Sequence, residues 1–260
     1  MQQDFHNRRV LITGGSAGLG LAAARMMASR GAHVAIAARS DDKLHAAATA
    51  LRQETGAQIL PVVCDVAKAD DLTRLVAEVE QAWGGVDVLL NNAGGSARMP
   101  TQEITDEVWQ RDLDLKLFSA IRLVRLVAPG MRERRWGRIL NVLNTLAKSP
   151  PGGSAPTSVT RAAGLAYTKV LSHELAPFNV LVNALCIGRI ESEQWPRFHQ
   201  ADAPELSYSD YLQREGRKIP LGRLGKAEEF ASLVCLLASE GGGYITGTAI
   251  NIDGGASPAD

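Results

Sequence analysis

Short apolar runs rich in β-branched residues recur along this chain and alternate with segments whose apolar residues fall three or four apart. The runs lie at about 9–13, 33–38, 58–64, 86–91, 137–143, 179–186 and 248–252. They are short enough for strands and mostly apolar at successive positions, as expected of strands covered on both faces. The segments between them, at about 19–30, 41–54, 69–82, 105–134, 157–176 and 226–238, carry a helical period. Regular alternation of strand and helix predicts an α/β fold built on a doubly wound parallel sheet of about seven strands, with helices on both faces. No repeat, low-complexity stretch or polar linker interrupts the pattern, so residues 1–260 are expected to form a single domain.

Between the first strand and the first helix stands Thr13-Gly14-Gly15-Ser16-Ala17-Gly18-Leu19-Gly20. Glycines there let the backbone turn tightly and let a diphosphate come close, while the open N–H groups and dipole of the helix start favour its negative charge. Taken alone, the triplet is equally an ordinary glycine-rich loop. Context extends the pattern: Asn91-Asn92-Ala93-Gly94 follows the fourth strand, and the tail carries Pro220-Leu221-Gly222-Arg223, Tyr244-Ile245-Thr246-Gly247 and Asp253-Gly254-Gly255. In this order, with Gly14, Gly18 and Gly20 spaced as they are, these motifs resemble the short-chain dehydrogenase/reductase family over nearly the whole chain. The resemblance implies a Rossmann-type, NAD(P)-binding oxidoreductase acting on a carbonyl or alcohol.

That resemblance assigns Gly14, Ser16, Gly18, Leu19 and Gly20 to the diphosphate. It places Asp65 and Val66 by the adenine and Asn92, Ala93 and Gly94 by the adenine-side ribose, and it brings the backbone of Ile190 to the carboxamide. Asp65 is also a good residue for starting the next helix, and Asp87 reads as structural. About twenty residues beyond the glycine turn, where a dinucleotide fold reads the ribose, Ala38 stands in the acidic position and Arg39 follows it. A guanidinium there would grip a 2′-phosphate, favouring NADP(H) over NAD(H). Alternatively, Arg39 is a solvated residue that pairs with Asp41 or Asp42.

The family's usual catalytic set is a serine after the fifth strand, a tyrosine four residues before a lysine on the next helix, and an asparagine on the preceding helix. Here Asn144, Thr157, Arg161 and Lys116 occupy those places, and Ile187 replaces a proline usual in the loop beside the nicotinamide. Threonine does not titrate near neutrality, and arginine stays charged, so Arg161 is expected to clamp the nicotinamide ribose or the substrate. Lys116 is the one candidate acid/base of the four, unless it simply faces solvent. Two cations beside the nicotinamide would favour an anionic substrate. Residues 190–218, with Trp195, Phe198, Tyr208 and Tyr211 among charges and prolines, are expected to form a lid over the substrate.

Composition narrows the classes further. Acidic and basic residues number 28 each, for zero net charge, so no footprint for nucleic acid or an anionic membrane is expected. The longest apolar runs fall well short of the ~20 residues needed to span a bilayer. Three separated cysteines within apolar segments, five histidines without ligand spacing, and an N-terminus without a basic and apolar signal pattern predict a cytoplasmic protein without a metal. By likeness to tetrameric relatives, a homotetramer is expected, with Leu123, Val127, Leu165 and Val170 as its helix-face contacts. The alternative to a redox enzyme is an NADP(H)-binding protein without turnover, serving as sensor, scaffold or non-redox enzyme.

Overall fold

Seven strands form one parallel sheet in a computed structural model that describes residues 4–192 and 195–259. They are β1 (Arg9–Thr13), β2 (His33–Ala38), β3 (Ile59–Val63), β4 (Val88–Asn91), β5 (Gly137–Asn144), β6 (Val180–Ile187) and β7 (Ala249–Ile252). Their spatial order, β3-β2-β1-β4-β5-β6-β7, shows the chain winding outward from β1, returning to pair β4 beside β1, and winding outward the other way. This doubly wound order puts the reversal of direction between β1 and β4, and ligand crevices of such sheets open at the carboxyl ends of the strands flanking that seam.

Two-residue periodicity assigns each strand residue to a layer. Val10 and Ile12 of β1, with Val34 and Ile36 of β2, pack under α1 (Gly18–Ala28), α2 (Asp41–Thr55) and α9 (Ala227–Ala238). Leu11, Ala35 and Ala37 point the other way, against α3 (Ala69–Trp83), α5 (Ser119–Glu133) and α6 (Thr157–Leu175). Both faces are therefore dry, which accounts for the nearly unbroken apolar runs in the sequence. No helix among the described residues is long and apolar enough to cross a membrane.

The predicted helix at 105–134 is interrupted in its middle. It runs as α4 (Asp106–Leu113), a π-helical turn over Asp114–Phe118, and then α5. A π turn accommodates an extra residue and resets which side chains face inward, and it carries Lys116 into the interior. The expected inter-subunit stripe also needs correction. Leu123 and Val127 lie on the inner face of α5 in the protein's own core, and Leu165 packs partly against Leu143, Ala184 and Cys186. Of the four, Val170 is the exposed one, at 53%.

The segment expected to form a lid holds α7 (Trp195–Asp202) and α8 (Tyr208–Gly216), while its residues 193 and 194 lie outside the described residues. Trp195 and Tyr211 are buried with Ala203, Ile219 and Leu224 in a small core of their own, against which Phe198 packs. Tyr208 stays exposed.

At the far end of the sheet, Asp87 accepts from the backbone N–H of Arg9 at 3.1 Å and from its Nε and Nη2 at 2.8 and 2.5 Å. Asp87 is thus structural. Burial alone would raise its pKa, but the side-chain and backbone hydrogen bonds of Arg9 and the charges of Arg9 and Arg134 outweigh this and hold it below the ordinary carboxylate value. A depressed folded pKa gives stability that is present above the unfolded value and lost as pH falls through the folded one. Asp87→Asn should therefore lower the unfolding free energy by about 3 kcal/mol at pH 7, because Arg9 loses its buried counter-charge. The gap between wild type and variant should narrow as pH drops below about 4, which urea unfolding at several pH values measures.

Candidate active site

The diphosphate cradle begins where β1 ends. Gly14 and Gly15 both donate their backbone N–H to Ala37 O, at 2.8 and 3.2 Å, tying the turn to the end of β2. Gly14 and Gly18 hold φ of +67° and +54°, in the left-handed region that favours glycine. A Cβ on Gly14 would lie 2.9 Å from Asn92 Nδ2, and one on Gly20 would collide with Gly14 O. By contrast, nothing lies within 4 Å of where a Gly18 Cβ would be, so the turn faces open space there. No side chain caps α1, whose N-cap is Ala17, and its first turn has no acidic residue. Ser16 and Leu19 belong to this same turn, with Leu19 packing inward on the core. Open amides, a positive helix end and free space are what a diphosphate requires.

Across the seam the chain closes a clasp. Thr13 Oγ1 accepts from the backbone N–H of Asn92 and Ala93, both at 3.0 Å. The Asn92 side-chain amide donates to Thr13 O at 2.9 Å and to Gly14 O at 3.1 Å. Asn92 thus acts on the cradle from behind, shaping the turn.

Arg39 is exposed in the bend after β2 and has no ion pair among the described residues. Asp41, one of its two candidate partners, pairs instead with His45 at 3.1 Å. Asp65 is half-buried: its Oδ1 accepts from Ala67 N at 3.2 Å and its own N–H donates to Asp71 Oδ2 at 2.8 Å. It shapes the approach to α3 without capping it, since the cap position belongs to Lys68. Val66 is buried, leaving its backbone for any ligand. Ile190 O accepts from the Trp195 indole at 2.7 Å, so α7 is tied to the residue expected at the carboxamide.

Two of the four candidate catalytic residues are hydrogen-bonded to each other, and a third, Arg161, lines the same small cavity as Lys116. Lys116 Nζ donates to Thr157 Oγ1 at 3.0 Å, and Ala97 N, in the loop after β4, donates to the same oxygen at 3.0 Å. Both lone pairs of the hydroxyl are used while its proton has no acceptor among the described residues. Arg161 Nη1 bonds the Val142 carbonyl, and its Nη2 lies where a Gly94 Cβ would come within 2.7 Å, so a side chain at that position would displace the guanidinium. Asn144 ends β5 two residues past Val142, with its Oδ1 buried and unpartnered. No contact joins it directly to the other three among the described residues.

Asp112 completes the cluster, and the sequence reading overlooked it. Its Oδ1 pairs with Lys116 Nζ in a buried ion pair whose side chains are 2% and 1% exposed. The signal was present as an acid four residues before a lysine on one helix. Its consequence is electrostatic: Lys116, Arg161 and Asp112 sum to one positive charge instead of two. The expectation of an anionic substrate, which rested on two uncompensated cations, loses that basis. Thr157 is likewise only 2% exposed, and Lys116 does not face solvent.

Burial pulls the Lys116 pKa down, the hydrogen bond and charge of Asp112 push it back up, and the charge of Arg161 lowers it; the net direction is below an ordinary amine. Burial also lowers Arg161, to about 10, against the opposing charges of Asp112 and Cys186. Arg161 remains a cation at neutral pH. Beside the pair lies a cavity of about 10 Å³, lined in part by Lys116, Arg161, Asn91 and Asn141. It has room for one water among polar partners.

Similarity to known proteins agrees with this architecture. A family model described as enoyl-(acyl carrier protein) reductase matches residues 14–257. The dehydrogenase/reductase SDR family member 4 of Oryctolagus cuniculus is 36% identical over 96% of this chain and 94% of its own length. Among solved structures, L-sorbose reductase from Gluconobacter frateurii, complexed with NADPH and L-sorbose, covers 100% of both chains at 33% identity and a TM-score of 0.96. An NADPH-bound short-chain oxidoreductase from Pseudomonas aeruginosa PAO1, described as containing an atypical catalytic center, is 36% identical, covers 98% of this chain and 100% of its own, and has a TM-score of 0.91. With the glycine cradle, the seam clasp and the sheet order already in place, these matches establish that the chain belongs to the short-chain dehydrogenase/reductase family.

Proposed function

We propose that this chain is an NADPH-preferring carbonyl reductase in which Thr157, Lys116 and Arg161 replace the family's usual proton-donating groups. The observation that carries this reading is the Thr157 hydroxyl, which accepts from Lys116 and Ala97 and keeps its own proton uncommitted. Bound NADPH would supply a hydride to the carbonyl carbon. As that carbonyl oxygen gains charge, Thr157 passes it the hydroxyl proton and takes one from the Lys116 ammonium. Lys116 is left as a neutral amine and regains its proton from water. Because the hydroxyl gives and receives together, it need not become an alkoxide, which threonine could not sustain at neutral pH. Arg161 serves as a fixed positive end of the site, and the Asn144 amide is a second polar group for the substrate oxygen.

Carbonyl reduction is supported by two solved relatives: L-sorbose reductase with NADPH and L-sorbose, and the actinorhodin polyketide ketoreductase with NADPH. The exposed Arg39 beside the cradle supports the preference for NADPH. A second reading, NADPH binding without turnover, is favoured by the burial of Thr157 and by the locked Lys116–Asp112 pair. For assembly we propose a homotetramer whose helix contacts use the exposed Val159 and Val170 of α6.

Arg39→Ala should weaken NADPH binding about tenfold, the equivalent of 1–2 kcal/mol for a charge-assisted contact, and leave NADH binding unchanged. Fluorescence titration with both cofactors measures this, and equal losses for the two would remove Arg39 from the 2′-phosphate. Lys116→Ala should slow ketone reduction by about 10²–10⁴, the usual worth of a general acid, with NADPH affinity nearly intact. Arg161→Ala should reduce both rate and affinity. Steady-state kinetics paired with cofactor titration separates these patterns.

A further inference from the structure

We infer that Asp112 is a positioning residue of this site, whose buried carboxylate holds Lys116 as an ammonium directed at the Thr157 hydroxyl. The inference rests on the carbonyl-reductase reading for its kinetic arm only. Asp112 stands near the end of α4 and Lys116 lies within the π turn that follows, so the pair spans the irregularity in the helix. Both side chains are withdrawn from solvent, and Asp112 Oδ2 has no partner among the described residues.

Lys116 has charged or titratable neighbours on two sides. Asp112 faces it from its own helix. From α6 come Arg161 and, across the small cavity, Tyr167, while the cavity's β4 and β5 contributions near Lys116 are the neutral Asn91 and Asn141. Two buried cations cannot both persist cheaply without an anion. Arginine does not surrender its proton near neutrality, so a lone Lys116 would lose its own. The neutral amine could accept a hydrogen bond from Thr157 but could not recharge it. Asp112 therefore decides which way the Lys116–Thr157 hydrogen bond runs. Stability does not explain the pair well, since apolar side chains of similar volume are commonly as stable as a buried ion pair, and one with a bare carboxylate oxygen is a poor structural device.

The test follows the Lys116 amine directly, by NMR titration of the full chain carrying ¹³C,¹⁵N-lysine, with the resonance assigned through Lys116→Met. Wild-type Lys116 should be charged at pH 8, and in Asp112→Asn it should lose its proton at a pH lower by about one unit or more. In ketone reduction with NADPH, the alkaline limb of the rate profile should move down by the same interval in Asp112→Asn, with the rate kept at lower pH, and Asp112→Glu should restore it. A neutral Lys116 at pH 8 in the wild type overturns the inference even if Asp112→Asn does not fold. So does a variant slowed equally at every pH with an unshifted Lys116, which is the behaviour of a merely structural pair. If no ketone is turned over while the Lys116 titration shifts as expected, the carbonyl-reductase reading fails and the role of Asp112 in holding the charge stands.

Discussion

The molecule turns on one hydroxyl at the seam of the sheet. Thr13 ends β1, receives two backbone N–H groups from the chain leaving β4, and so joins the two halves of a doubly wound sheet where their directions diverge. Asn92 returns the contact through its amide, which fixes the carbonyls of Thr13 and Gly14 and with them the left-handed turn. Cradle and seam are therefore one structure: the amides that would meet a diphosphate are aimed by bonds made on the other side of the crevice. From the same post-β4 segment Gly94 makes room for Arg161, and Ala97 reaches Thr157.

Around the candidate catalytic positions the organising quantity is buried charge. Two cations and one anion lie together out of water, in a family whose usual set has a single lysine there. An interior tolerates that only as a compensated group. The π turn brings Lys116 inward, and the loop after β4 covers Thr157. Each feature is explained by the others, because a lysine in the asparagine place would be costly without both an anion and a hydrogen-bonding partner.

Much of this was legible in the sequence, for reasons that also mark the boundary. The strands were visible because two-sided burial writes itself as short apolar runs, and the cradle because only glycine fits at Gly14 and Gly20. The four candidate catalytic positions were read from their spacing within matched motifs. Asp112 escaped because it lies outside those motifs, and its meaning depends on a burial that the π turn creates. Leu123 and Val127 were misplaced for a related reason: an apolar helix stripe looks the same whether it meets the protein's own sheet or another subunit. The buried aromatics Trp195 and Tyr211 were seen as lid residues, but their small separate core depends on packing between two helices that no single periodicity reveals.

The central claim is that the Thr157 hydroxyl delivers the proton in place of a tyrosine. Thr157→Val removes that hydroxyl at nearly constant volume, whereas Thr157→Ser retains it. NADPH oxidation with a ketone substrate should fall by about 10²–10⁴ in the valine variant and remain close to wild type in the serine variant, with NADPH affinity preserved in both. A valine variant as active as the wild type would contradict the account.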